Sequence, residues 1–173
     1  MNDVVHELAN ARIGNTFNQY AAGPRAHLLR ARLAAYLTAR AEAPILLVGE
    51  APGYRGARVS GLPFTSERQL TGDGPAEATA TIVQRALEAL GLSDEVLLWN
   101  VVPTHPGTER SNRAPTRAEV AAGLLFARQL ARGRRAIGVG RVAAHALGAP
   151  YVRHPSHGGA EAFRSGLRDL IAE

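Results

Sequence analysis

The sequence contains neither cysteine nor lysine among its 173 residues. Without cysteine the chain can form no disulfide, no zinc–thiolate site and no iron–sulfur cluster bound by cysteine. Without lysine it has no side-chain amine for a Schiff base, so the α-amino group of Met1 is its only amine. These absences exclude thiol nucleophiles and lysine-based covalent catalysis, and we expect no cofactor and no bound metal.

Long apolar runs are also missing. Although 46% of the residues are apolar, no stretch reaches the roughly 18 consecutive apolar residues that a membrane helix requires. The N-terminal sequence MNDVVHELANAR has no basic stretch followed by an apolar run and a cleavage site, which disfavours secretion. We therefore expect a cytoplasmic, monomeric protein without a membrane partner, folded as one domain over residues 1–173.

Charge of both signs is present, with an excess of positive charge. All 20 basic residues are arginine, and they outnumber 15 acidic residues to give a net charge of +5. An arginine-biased genome would explain the missing lysine without any functional meaning, but it would not explain the net excess. A positive protein suits a polyanionic partner such as DNA, because each neutralised phosphate releases counterions.

Apolar periodicity and turn residues divide the chain into alternating helices and strands. Helices are predicted over residues 24–40, 76–90, 116–132, 142–147 and 158–172, and strands over residues 45–48, 96–99, 136–139 and 151–152. Residues 1–23 show little pattern, and residues 50–75 and 100–115 are predicted to be loops. Strands that alternate with helices indicate a three-layer α/β/α fold around a central four-stranded parallel sheet.

Three loops leave the carboxyl ends of these strands, where open α/β sheets bind their ligands. We name them by their residues: the first loop (49–64), the second loop (100–106) and the third loop (154–157). All three hold unusual residues, so the sequence predicts that these residues gather at one edge of the sheet.

The motifs in these loops resemble those of a known family. The first loop reads GEAPG at 49–53 and GLPF at 61–64, the second begins with Asn100, and the third reads HPS at 154–156. In this order, each after a strand, they resemble the uracil-DNA glycosylase superfamily, and most closely its families four and five. The resemblance spans residues 45–156. It implies a uracil-DNA glycosylase-like fold and an enzyme that flips uracil out of DNA, hydrolyses its N-glycosidic bond and leaves an abasic site.

An extruded base needs a stacking face, a reader for its edge and a donor for the departing anion. By resemblance, Phe64 stacks on the uracil ring and the Asn100 amide binds uracil N3–H and O4. His154 donates a hydrogen bond to uracil O2. Each residue also has a structural interpretation: a core phenylalanine, a turn asparagine and a loop histidine. Further contacts to the base are expected from Gly49, Ala51, Pro52 and Gly53, and contacts to DNA from Ser66, Ser156 and His157.

The sequence departs from the best-known branch of the family at several positions. An aspartate that orients the attacking water is replaced by Ala51, so Glu50 is the candidate to position water or to balance charge on the sugar. Glu50 could instead accept hydrogen bonds from loop N–H groups. A tyrosine that excludes the methyl group of thymine is replaced by Gly53, and Tyr54 is the candidate for that barrier. The iron–sulfur cysteines of family four are absent, and His157 or an arginine is the candidate wedge.

Two other functions remain open from the sequence alone. One is a module of the same fold that binds uracil or an abasic site without catalysis, which the alanine at position 51 would suit. The other is a nucleotide-binding α/β domain that uses residues 49–53 as a phosphate loop. This second alternative lacks both the G-x-G-x-x-G pattern and the lysine of a P-loop.

Overall fold

A computed structural model of the chain describes residues 2–172. Met1, and with it the α-amino group, lies outside the described residues. The helices are α1 Asn2–Asn10, α2 Ala26–Ala39, α3 Ala57–Ser60, α4 Glu67–Thr71, α5 Ala78–Ala89, α6 Arg117–Ala131, α7 Arg141–Leu147 and α8 Ala160–Ala172. The strands are β1 Ile45–Gly49, β2 Val96–Asn100, β3 Gly107–Thr108, β4 Ser111–Asn112, β5 Arg135–Val139 and β6 Tyr151–Val152.

Four of the strands form a parallel sheet in the order β2-β1-β5-β6. Strands β1 and β2 are buried along their whole length, as expected for apolar strands that are covered on both faces. One face packs against α1, α2 and α6 through residues such as Leu33 and Trp99. The other packs against α5 and α8 through residues such as Leu98 and Phe163. The predicted three-layer α/β/α fold is therefore confirmed.

The structure corrects three parts of the sequence interpretation. Residues 2–10, where no element was expected, form α1, which buries Val4, Val5 and Leu8 against the core. The predicted loop over residues 50–75 contains the short helices α3 and α4. The predicted loop over residues 100–115 contains the β3–β4 hairpin. None of the described helices is long and apolar enough to cross a membrane.

The predicted capping box at the start of α6 is confirmed. Glu119 N donates to Thr116 Oγ1 at 3.2 Å, and Thr116 N donates to Glu119 Oε2 at 2.8 Å. The Glu119 carboxylate also accepts from both terminal nitrogens of Arg113, at 2.6 and 2.7 Å, and from Asn15 N at 3.2 Å. The hydrogen bonds from Arg113, followed by those from the backbone, lower the pKa of Glu119 to about 2. One carboxylate thus joins α6, the segment after the hairpin and the N-terminal segment.

Candidate active site

An open cleft of about 910 Å³ lies at the carboxyl ends of the parallel strands. The first, second and third loops contribute to its walls, together with the start of α5 and the turn between β5 and α7. The cleft brings together most of the residues predicted for the site: Glu50, Ala51, Pro52, Gly53, Phe64, Asn100, His154, Ser156 and His157.

Gly49 allows an aromatic ring and an amide to meet at the floor of the cleft. It pairs with Asn100 across the parallel ladder between β1 and β2. A Cβ atom at Gly49 would lie 2.4 Å from Phe64 Cζ and 2.8 Å from Asn100 Oδ1, so only glycine fits this position. Phe64 is 7% exposed and has a left-handed φ of 50°. Its ring belongs to the buried cluster that packs against α5 and also lines the cleft.

Asn100 ends β2 and is 5% exposed. Its backbone is fixed by the sheet, and no hydrogen bond within residues 2–172 uses its side-chain amide. The amide is not enclosed by the protein: Asn100 lines the open cleft, and its amide atoms face that space. The amide of Asn100 is therefore available to a ligand in the cleft.

The third loop holds His154 in one tautomer. Ser156 N donates to His154 Nδ1 at 3.2 Å, and the hydroxyl of Ser156 lies 2.7 Å from the same nitrogen. Because a backbone N–H can only donate, Nδ1 accepts and the proton of the neutral ring lies on Nε2. Burial lowers the pKa of His154, and the nearby charges of His157 and Arg153 lower it further. His154 thus presents a neutral ring whose Nε2–H is free to donate.

His157 is exposed and has a left-handed φ of 51°. Its Nδ1 lies 3.0 Å from the hydroxyl of Ser156, which also contacts His154. A left-handed backbone is uncommon for residues other than glycine and costs about 1–3 kcal/mol. The third loop is therefore a tight turn that directs two histidines and a serine toward the cleft.

Two carboxylates line the cleft, and the sequence interpretation singled out only one of them. Glu50 follows β1 and is half-buried, and burial raises its pKa. Glu77 stands at the N-cap position of α5, but its side chain makes no capping hydrogen bond. Its carboxylate occupies the space where a side chain at Gly53 or Gly56 would begin. A Cβ atom added to either glycine would overlap the Glu77 carboxylate. Burial raises the pKa of Glu77 as well.

The position of Glu77 also bears on the expected thymine barrier. Tyr54 does not belong to the lining of the cleft, and its amide donates to Asn112 Oδ1 at 2.9 Å. The Glu77 carboxylate, rather than the Tyr54 ring, fills the space beside Gly53. In the sequence Glu77 falls in the first turn of a predicted helix, where a carboxylate complements the helix dipole, so the available signal pointed to a structural role.

Three arginines stand beside these acids in the lining of the cleft. Arg113 is held by its two hydrogen bonds to Glu119, Arg141 begins α7, and Arg153 directly precedes His154. They were not singled out from the sequence, because one arginine among 20 carries no distinguishing signal. The cleft therefore combines cations with two carboxylates, Glu50 and Glu77.

Ser66 does not reach the cleft, and the expected DNA contact there is a poor fit to the structure. The residue is fully buried at the N-cap of α4. Its amide and its hydroxyl both donate to Gln69 Oε1, at 2.7 and 2.9 Å. The serine that precedes this helix is therefore used as a cap. Within residues 2–172, no group of three or more His, Asp or Glu side chains is arranged to hold a metal ion.

The second loop fixes the backbone of the first loop. The hydrogen bonds between them run from Val101 N to Gly49 O at 2.8 Å, from Val102 N to Glu50 O at 3.0 Å, and between His105 Nδ1 and Pro52 O at 2.8 Å. The bond from Tyr54 N to Asn112 continues this series into the hairpin. Residues 49–54 of the first loop are thus held from one side.

A parallel α/β sheet with a ring, an amide and a histidine at its strand ends defines a protein that binds a flat polar ligand, such as a nucleobase. The family model of the uracil DNA glycosylase superfamily matches residues 36–168. The chain belongs to the uracil-DNA glycosylase superfamily, which confirms the resemblance found in the loop motifs. Members of this superfamily are glycosylases of DNA repair, hydrolases that act on N-glycosidic bonds.

A solved structure supports the fold. The chain is similar to the crystal structure of SMUG2 from Pedobacter heparinus, with a TM-score of 0.70 over 99% of this chain and 98% of that chain. The two sequences are 13% identical, so this likeness concerns the architecture. No curated protein sequence matches the chain.

Proposed function

We propose that the protein is a monofunctional uracil-DNA glycosylase, which extrudes uracil from DNA and hydrolyses the bond between the base and the sugar. The observation that carries this proposal is the unpaired amide of Asn100, which faces the cleft beside the ring of Phe64. Extrusion of a base costs a few kcal/mol, and stacking on an aromatic ring returns about 1–3 kcal/mol.

The amide of Asn100 suits uracil better than cytosine. Its Oδ1 accepts a hydrogen bond from uracil N3–H, while its Nδ2 donates to O4. Cytosine offers an acceptor at N3 and a donor at N4, so both groups face the wrong partner. Each unsatisfied group in a dry pocket costs about 1–3 kcal/mol, which amounts to a large discrimination between the two bases.

His154 stabilises the leaving group. As the glycosidic bond breaks, its electron pair moves onto the base and negative charge grows on O2. The neutral ring donates from Nε2 to this oxygen and keeps its proton, as the lowered pKa of His154 favours. A preorganised donor of this kind contributes about 10²–10³ to the rate.

Water supplies the nucleophile, because the chain offers no lysine for attack on the sugar. Its oxygen bonds to C1′ and the released proton passes to a carboxylate or to solvent. Glu50 and Glu77 are the carboxylates that line the cleft, and their negative charge would also stabilise the cationic sugar. Arg141 and Arg153, with Ser156 and His157, would contact the DNA phosphates.

The alternative is a module of the same fold that binds uracil or an abasic site and leaves the bond intact. Ala51 favours it, because this residue lines the cleft where the best-known branch carries the water-orienting aspartate. In this alternative, Asn100 and Phe64 would still recognise the base, and the two carboxylates would not activate water.

A single-turnover assay on an oligonucleotide with one uracil separates these functions. A glycosylase leaves an intact strand that breaks only after alkali, and borohydride traps no covalent complex. Asn100→Ala should lose this activity. Asn15→Ala should keep it, because Asn15 is exposed and only its backbone N–H makes a hydrogen bond.

Strand breaks before alkali would contradict the monofunctional mechanism. Tight binding without excision would favour the binding module. Parallel substrates with hypoxanthine or mismatched thymine define the range of bases.

A further inference from the structure

Tyr151 and Val142 are exposed apolar side chains in the wall of the cleft. Tyr151 is 45% exposed, and within residues 2–172 its hydroxyl makes no hydrogen bond. An exposed apolar residue that stands alone needs no explanation, but an apolar surface inside a ligand cleft indicates a contact with the ligand. The ring of Tyr151 is therefore a candidate contact surface that the proposed function does not use.

The backbone of β6 directs the Tyr151 side chain away from the core. Successive side chains of a strand point to opposite faces of the sheet. Val152 is buried in the cluster that contains Phe163 of α8, so Tyr151 faces the other side. Strand β6 is at the edge of the sheet, and the residue paired with Tyr151 on β5 is Gly138, which has no side chain to cover the ring. The ring is thus left open to the cleft.

The wall beside Tyr151 carries positive charge. Arg141 and Arg153 are exposed and line the cleft, and their side chains make no hydrogen bond or ion pair within residues 2–172. The sequence has no acidic residue between Glu119 and Glu161, so this segment offers them no carboxylate. Proteins that bind single-stranded nucleic acid combine an aromatic ring, on which a base stacks, with cations that hold the phosphates. Tyr151 and its two arginines have this composition.

Tyr151 is too far from the proposed uracil pocket to contact the same base. Asn100 ends β2 and Tyr151 begins β6, and these strands form the two edges of the sheet. Neighbouring strands lie about 4.8 Å apart, so three strand spacings separate the two edges by about 14 Å. A single base cannot reach both residues. The ring of Tyr151 is therefore available to a second base.

We propose that Tyr151 is a stacking platform for a second nucleobase of the strand that carries the uracil, and that Arg141 and Arg153 hold the phosphates beside it. A base reaches the ring only when it has left the stack of a duplex, so the platform favours single-stranded DNA. The identification of the ligand as DNA rests on the proposed function. The contact with a second base does not depend on cleavage of the first.

The first test measures affinity for a single-stranded oligonucleotide with one 2′-fluorinated deoxyuridine, in which the fluorine disfavours the cationic sugar and so prevents cleavage. Tyr151→Ala and Tyr151→Leu should weaken binding by about 5- to 150-fold, the range for loss of one base–aromatic stack. Tyr151→Leu keeps an apolar side chain at the surface and removes only the ring. Tyr151→Phe keeps the ring and should stay within about twofold of the wild type.

Two comparisons show that the loss is specific. Affinity for the matching duplex should change much less in Tyr151→Ala, because the neighbouring bases remain stacked on one another. Leu125→Ala should bind both forms like the wild type, since Leu125 is an exposed apolar residue of α6 outside the cleft.

The second test identifies the stacked base. A series of oligonucleotides lacks one base at a time, at each of the positions that flank the 2′-fluorinated deoxyuridine. If Tyr151 stacks on one base, the effect of Tyr151→Ala should disappear in the oligonucleotide that lacks this base and persist in the others.

The outcomes separate this inference from the proposed function. A Tyr151→Ala variant that binds single-stranded DNA like the wild type overturns the platform, and so does a loss of affinity that is equal across the whole series. A wild-type protein that binds DNA through Tyr151 but never excises uracil contradicts the proposed function and supports the platform. A protein that excises uracil without any contribution of Tyr151 to binding supports the proposed function and contradicts the platform.

Discussion

Alanine at position 49 should damage the site more than its small size suggests. The added methyl carbon would lie 2.4 Å from Phe64 Cζ, 2.9 Å from Phe64 Cε2 and 2.8 Å from Asn100 Oδ1. Carbon atoms normally approach to about 3.5–4.0 Å, so the ring must retreat by roughly 1 Å. Phe64 already has a left-handed backbone, and Gly49 is paired with Asn100 in the ladder between β1 and β2, so neither residue moves freely.

The expected cost has two parts. Overpacking of this kind lowers the free energy of unfolding by about 1–3 kcal/mol, which denaturant or thermal unfolding measures. A displacement near 1 Å at a group that contacts the base should lower the single-turnover rate by about 10²-fold. Gly166→Ala is the matched control, because an added Cβ there meets only Val152 Cγ2, at 3.2 Å. A Gly49→Ala variant with wild-type stability and rate would refute the proposed contact between ring, amide and base.

Four further changes test other parts of the site. His154→Ala should lower the single-turnover rate by about 10²–10³-fold with little loss of DNA affinity; an unchanged rate would contradict its role. Asn100→Asp should weaken uracil excision strongly and should admit cytosine, which kinetics on both bases measure. Arg153→Gln should reduce the slope of log affinity against log salt by about 1 if the residue contacts a phosphate. Because the pKa of Glu119 is lowered to about 2 from 4.5, its stabilisation should be complete above 4.5 and disappear as the pH falls toward 2. Unfolding of Glu119→Gln against pH tests this, and a variant with the wild-type pH dependence would contradict it.

The fold was predictable because its strands carry a strong local signal. The apolar runs at 45–48 and 96–99 are buried on both faces, and a run of this kind reads as a parallel strand without reference to any partner. The capping box at Thr116 likewise lies within four consecutive residues. Helix α1 was missed because it is short and its described side chains bury only Val4, Val5 and Leu8 in the core.

The candidate site was predictable only where a motif marks it. The residues of the first, second and third loops were found because each follows a strand and matches a family motif. Glu77 was missed because it lies outside every motif and in the first turn of the predicted helix, where an acidic residue is expected on structural grounds alone. Ser66 is predicted from the sequence as a contact to a DNA phosphate, and this stays a prediction. In the structure its hydroxyl and its amide both donate to Gln69 Oε1, at the N-cap of α4.

The contacts of His105 show why the rest of the site could be described only from coordinates. In the sequence it is one histidine beside a proline, and no spacing rule connects it with residue 52. Its significance depends on two carbonyl oxygens that reach the same ring from the first loop and from the hairpin. Every residue has a backbone carbonyl, so the sequence does not indicate which carbonyl oxygens accept a hydrogen bond from a given side chain. The hydrogen bonds that join the first loop to the segment after β2 could therefore be found only in the structure.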